Sequence, residues 1–146
     1  MKKILVAFHS MSGNTEKVAK AVAEGAGSVE GIKVSVKKAA DVSVEDFKSS
    51  DAFAFGTPDY FSYMAGMVKD MFERVFYATK SHTEGKPCLY FLTHGGGGKA
   101  IDSLQKMCSK FKLKRVGDIL SIESPVRDKH LEAARQLGKT LAQNVL

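Results

Sequence analysis

The chain has 146 residues, 44% hydrophobic and 26% charged, proportions that suit one globular domain over residues 1–146 with a sizeable buried core. Its net charge of +6 does not point to nucleic acid: basic residues are interspersed with acids, and the densest cluster, Lys110, Lys112, Lys114 and Arg115, reads as a solvated helix end. The first apolar run is too short for a membrane span and no cleavage site follows it, so the expectation is a cytoplasmic protein with no membrane insertion.

"KILVAF" (3–8) is nearly continuous in apolar character, as a strand buried on both faces should be. Thr15, Val18, Ala19, Val22, Ala23 and Ala26 then mark one face of a helix. "IKVSVKK" (32–38) alternates like a less buried edge strand. A short helical piece around 43–49 precedes a third strand, "DAFAFG" (51–56). Met64, Met67, Val68, Met71, Phe72, Val75 and Phe76 recur at helical spacing, and the methionines among them read as core fillers. "KPCLYFLT" (86–93) is a fourth strand, followed by a helix carrying Ile101, Leu104, Met107, Cys108 and Phe111. "KRVGDILSIE" (114–123) gives a fifth strand with Gly117 at a bulge, and Leu131, Ala134, Leu137, Leu141 and Val145 close the chain as a helix. Cys88 and Cys108 form no CxxC pair and no metal-ligand spacing, so both are expected as buried thiols and no metal site is expected. Strict alternation of strand and helix predicts an α/β doubly wound parallel sheet of five strands.

Ligands of such sheets sit beyond the carboxyl ends of the strands. After strands one, three and four come "HSMSGNT", "GTPDYFSYMAG" and "THGGGGKA". The first is the most telling. A helix starting near Asn14 aims unpaired N–H groups and a positive dipole end at this loop. The hydroxyls of Ser10, Ser12 and Thr15 add donors, and Gly13 permits close backbone approach. That is a phosphate site built without a cation. A plain helix cap needs one such residue, and the segment has several. Rival motifs fail: no G-x-G-x-x-G follows a strand, and "GGGGKA" has Thr93 where a P-loop needs its leading glycine and Ala100 where it needs Ser or Thr. A receiver domain would need clustered acids after strand one, and "FHSMSG" has none.

With these motifs the chain resembles the flavodoxin superfamily over essentially its whole length. "SMSGNT" is similar to that family's [ST]-x-[ST]-G-x-T loop, which holds the 5′-phosphate of FMN. The resemblance implies the strand order 2-1-3-4-5 in a three-layer sandwich and FMN as cofactor. It assigns Ser10, Met11, Ser12, Gly13, Asn14 and Thr15 to the phosphate. It places Thr57, Pro58, Asp59, Tyr60 and Phe61 beside the isoalloxazine ring, and Thr93, His94, Gly95, Gly96 and Gly97 at its pyrimidine end. The residues agree: glycines let backbone N–H groups approach ring heteroatoms, and an exposed aromatic can stack on the ring. His94, as a proton donor near the ring, and Asp59, at the flavin or substrate edge, are the candidates for a direct chemical role.

The resemblance divides over reaction type. Strict flavodoxins carry one electron at a time between proteins, are usually acidic, and usually have a glycine after strand three whose peptide flip favours the one-electron-reduced flavin. This chain is basic and has no glycine there before Gly66. "GTPDYFSYMAG" resembles instead the loop of the NAD(P)H:quinone reductase branch, but 146 residues leave no room for the extra segments of that branch. The leading expectation is an FMN-binding flavodoxin-like redox protein that transfers electrons, its partner a redox protein or a small quinone or flavin. The alternative is an NAD(P)H-dependent FMN or quinone reductase doing hydride chemistry; a second is a non-catalytic FMN-binding redox sensor or storage module. Either a monomer or a homodimer is compatible with the sequence.

Overall fold

A computed structural model describes residues 1–146. The chain runs β1 (Lys2–Phe8), α1 (Asn14–Gly27), β2 (Ile32–Lys38), a 3₁₀ turn (Ala39–Asp41), α2 (Val44–Ser49) and β3 (Ala52–Tyr60). It continues with β4 (Tyr63–Met64), α3 (Gly66–Thr83), β5 (Pro87–His94), α4 (Ala100–Lys110), β6 (Lys114–Arg115), β7 (Leu120–Glu123) and α5 (Asp128–Gln143).

The sheet order is β2-β1-β3-β5-β6, with β7 also parallel to β5 and β4 antiparallel to β3. Counting β6 and β7 as one interrupted strand recovers the expected 2-1-3-4-5 order. The sheet therefore has seven strands, not five. One addition arises because the ladder breaks after Val116, whose N–H still bonds the Cys88 carbonyl at 2.8 Å, with Gly117 at φ 74°, so the sequence bulge is a full break. The other is the two-residue β4, a hairpin folded back from the tip of β3.

Helices cover both faces. On one side α1 and α5 pack over Ile4, Val6, Ala54, Leu89 and Phe91. Gly25 and Gly138 let these helices touch: a Cβ on either would strike the backbone of the other helix, at Arg135 and Val22 respectively. On the other side α2, α3 and α4 enclose an aromatic cluster of Phe47, Phe53, Phe55, Phe72 and Phe111, with neighbouring ring centroids such as Phe55–Phe72 5.0 Å apart. Each such ring contributes roughly 1.5–3 kcal/mol by leaving water. Cys88 and Cys108 lie in this core as free, buried thiols, and burial pushes the Cys108 thiol well up from its ordinary pKa. The rigid sheet thus fixes the carboxyl ends of β1, β3 and β5 side by side, where the polar loops begin. No helix is long and apolar enough to cross a membrane.

Candidate functional site

Three loops meet at that edge, and each is tied to the next. Phe8 pairs with Gly56 in the sheet, and His9 N–H continues the ladder to the Gly56 carbonyl at 3.2 Å. The His9 ring meets Tyr60 edge-on with centroids 6.2 Å apart, and burial lowers the His9 pKa from its ordinary value. From the start of α1, the buried Thr15 hydroxyl bonds the buried Thr93 hydroxyl of β5 at 2.8 Å. Asn14 Nδ2 donates to Ser124 Oγ at 3.3 Å. Ser124 stands directly after the last strand, and a serine at that position is the one sequence signal of its part in the site.

The loop before α1 is built for an anion. Gly13 turns the chain at φ 96°, a left-handed conformation in which a Cβ would be strained though it would strike nothing. Ser10 Oγ accepts from Gly13 N–H at 3.0 Å, and the first helical bond runs from Lys17 N–H to the Gly13 carbonyl. The N–H groups of Met11, Ser12, Asn14, Thr15 and Glu16 have no acceptor within the protein. Met11 and Ser12 are exposed, while Gly13 and Asn14 are half-buried. Unspent donors at a helix start are the physical requirement for phosphate.

The segment after β3 is more ordered than its sequence suggests. Residues 57–60 continue the strand, and Phe61 and Ser62 make a two-residue turn with φ 56° and 63° before β4 pairs back onto it. Both positive φ values match a type I′ hairpin turn, whose usual residues are Asn and Gly. The turn is held from its base. Thr57, fully buried, accepts Ala65 N–H through its hydroxyl at 2.8 Å and donates to the Pro58 carbonyl at 2.7 Å. The whole residue is covered, so Thr57 supports the hairpin from beneath. Asp59 Oδ1 accepts Ser62 N–H at 2.8 Å and Asp59 Oδ2 accepts Ala100 N–H at 3.1 Å. Both oxygens are therefore engaged inside the protein. Pro58 and Tyr60 are half-buried, and Phe61, at 102% exposure, rests on no other part of the chain. Tyr63 is also exposed.

Thr93 and His94 end β5, and Gly95, Gly96 and Gly97 are exposed beyond it. The Nδ1 atom of His94 accepts N–H bonds from Gly96 at 3.0 Å and Gly97 at 3.2 Å. His94 thus shapes the glycine loop.

Comparison with known proteins decides the family. The family model described as "Flavodoxin" matches residues 6–138. The chain belongs to the flavodoxin family. A flavodoxin from Aquifex aeolicus is 30% identical over 98% of this chain and 86% of its own length. An NAD(P)H dehydrogenase (quinone) from Acidithiobacillus ferrooxidans is 33% identical, but over 51% of this chain and 47% of that protein. Among solved structures, a flavodoxin from the domain Archaea superposes with TM-score 0.90 at 25% identity, covering 98% of both chains. The flavodiiron protein from Giardia intestinalis gives TM-score 0.87 at 22% identity over 99% of this chain and 36% of that one, a likeness of fold. As a flavodoxin, this chain is an FMN-binding protein that transfers electrons. Its own geometry fits that cofactor: an array of unspent N–H donors for a phosphate, and exposed glycines and an exposed aromatic at the same edge of the sheet.

Proposed function

We propose that residues 1–146 act as a single flavodoxin-like domain in which FMN is held by the three converging loops and serves as a carrier of electrons to a protein partner. The carrying observation is the set of free N–H groups at the start of α1, set on a turn that Gly13 allows. Ser10, Met11, Ser12, Gly13, Asn14 and Thr15 would bind the phosphate. The Thr15–Thr93 hydroxyl pair shares one hydrogen bond and so keeps a second hydroxyl proton free to donate to it. The Pro58–Phe61 segment would flank one side of the ring, with buried Thr57 supporting it from beneath and Phe61 free to rotate onto it. Gly95, whose N–H has no acceptor within the protein, would present a donor to its polar edge, with Thr93, His94, Gly96 and Gly97 forming the rest of that wall. Bound FMN supplies the electron-transfer chemistry; the protein orients it and sets its surroundings. His94 acts here by ordering Gly96 and Gly97, and Asp59 by ordering the hairpin.

The net charge of +6 would steer an acidic partner or an anionic substrate toward the protein. Free buried cysteines suit a reducing compartment such as the cytoplasm. A second reading is NAD(P)H-dependent reduction of a quinone or free flavin. It is favoured by the partial likeness to a quinone-reducing dehydrogenase and by the glycine-free hairpin turn. Anaerobic titration of the FMN-loaded protein with NADH and NADPH, followed by visible absorbance, separates the two. Flavin that stays oxidised with both nucleotides supports the carrier; prompt bleaching by about one equivalent identifies the reductase. A protein that takes up no FMN refutes both.

A further inference from the structure

The two loops assigned to the ring are not independent. Helix α4 begins without a cap of its own: Lys99, the residue before it, has helical φ and ψ and makes no side-chain cap bond. The Ala100 N–H is instead capped from 41 positions away, by Asp59 Oδ2 at 3.1 Å. The other oxygen of the same carboxylate holds the Ser62 N–H at 2.8 Å, inside the left-handed turn. A third tie runs beside it: Ser103 Oγ accepts Met64 N–H at 2.9 Å and donates to the Ala100 carbonyl at 2.6 Å. The glycine loop lies against this clamp, since a Cβ on Gly97 would sit 3.8 Å from Asp59 Oδ2. A carboxylate suits this place twice over, with two acceptor oxygens and a negative charge at a helix start.

We propose that Asp59 is a positioning residue that locks the Phe61–Ser62 turn to the start of α4, so that the hairpin and the glycine loop move as one body around the bound flavin. This rests on the flavin-site reading above. It makes the spacing of the hairpin and the glycine loop depend on one carboxylate that need not touch the ligand. Phe61 and Ser62, both non-glycine residues at positive φ, have a local reason to relax once released. The lock stops them, and it also fixes where residues 95–99 enter α4.

The test is amide hydrogen exchange on the apoprotein, with FMN affinity and the visible circular dichroism of bound flavin measured beside it. In Asp59→Ala, exchange at Ser62 and at Ala100 should rise together by about tenfold or more, with amides in the body of α1 unchanged. FMN should bind about tenfold more weakly and its dichroism should change, since both walls have loosened. Asp59→Asn keeps the size but only one acceptor oxygen, so it should restore protection at one of the two amides, not both; it also answers if the alanine variant does not fold. Faster exchange at Ser62 alone, with Ala100 and the dichroism unchanged, would reduce Asp59 to a local turn-former and overturn the proposal. So would full protection of both amides in Asp59→Asn. A wild-type protein that fails to bind FMN would sink the flavin reading, while the exchange data would still decide whether the lock exists.

Discussion

The loop after β1 and the hairpin after β3 lie at the same edge of the sheet and are built on opposite rules. The first places glycine where φ is positive, at Gly13, and leaves its N–H groups unspent. The second places Phe61 and Ser62 at positive φ and ties its N–H groups to Asp59, Ser103 and Thr57. An anion site needs donors free before the ligand arrives, so its shape must come from intrinsic backbone preference and the following helix. A hairpin that flanks a ring needs fixed shape without free donors, so surrounding side chains can hold a turn its own residues disfavour. One loop is shaped by what its backbone prefers, the other by what its neighbours impose.

That contrast is broken most strongly by removing what the neighbours impose. Thr57→Val preserves shape but leaves the buried Ala65 N–H without an acceptor. We expect a loss of about 1–3 kcal/mol in urea unfolding, together with weaker FMN binding. A loss below about 0.5 kcal/mol would show that the hairpin does not depend on its base. For the other loop, Gly13→Ala meets no neighbouring atom, so its cost is the left-handed strain alone, about 1–2 kcal/mol. FMN affinity should fall as well, because relaxing φ re-aims the N–H groups. Stability lost without any loss of affinity would separate the turn from phosphate binding.

The same contrast explains what the sequence could convey. Buried parallel strands announce themselves as apolar runs, so β1, β3 and β5 are legible in "KILVAF", "DAFAFG" and "KPCLYFLT". The phosphate loop is legible too, because Ser10, Ser12, Gly13 and Thr15 are chosen for local backbone reasons. The hairpin is not. In "PDYFSYM" the two turn positions, Phe61 and Ser62, carry none of the Asn, Asp or Gly that type I′ turns favour, and the partners that impose the turn, Thr57 and Ser103, come from its base and from a helix distant in sequence. For the same reason the sequence offers Asp59 as a candidate at the flavin or substrate edge without showing that its oxygens hold the Ser62 and Ala100 N–H groups. It likewise offers His94 as a candidate proton donor without showing that its Nδ1 gathers the Gly96 and Gly97 N–H groups. The break at 117–119 is half visible, since Gly117 marks the place but not its extent.

Two smaller effects sharpen the comparison. In Ser62→Gly the turn gains a residue suited to φ 63°. Relief of roughly 1 kcal/mol of left-handed strain, less about 0.5 kcal/mol of added backbone entropy, leaves a net gain near 0.5 kcal/mol, readable as a higher urea midpoint. No gain, or a loss, would mean that the turn is not strained. The smallest effect lies at the joint between the loops, where His9 rests against Tyr60. Burial lowers its pKa below the ordinary 6.5. As pH falls below that value the unfolded chain takes up a proton that the folded chain resists. This contribution to stability is therefore complete above about pH 6.5 and is lost as pH drops through the folded pKa. His9→Asn should flatten the urea midpoint's dependence on pH between about 7.5 and 5.5 relative to wild type. An unchanged slope would show that His9 is as easily protonated in the folded protein as outside it, and that the contact with Tyr60 leaves it open to water.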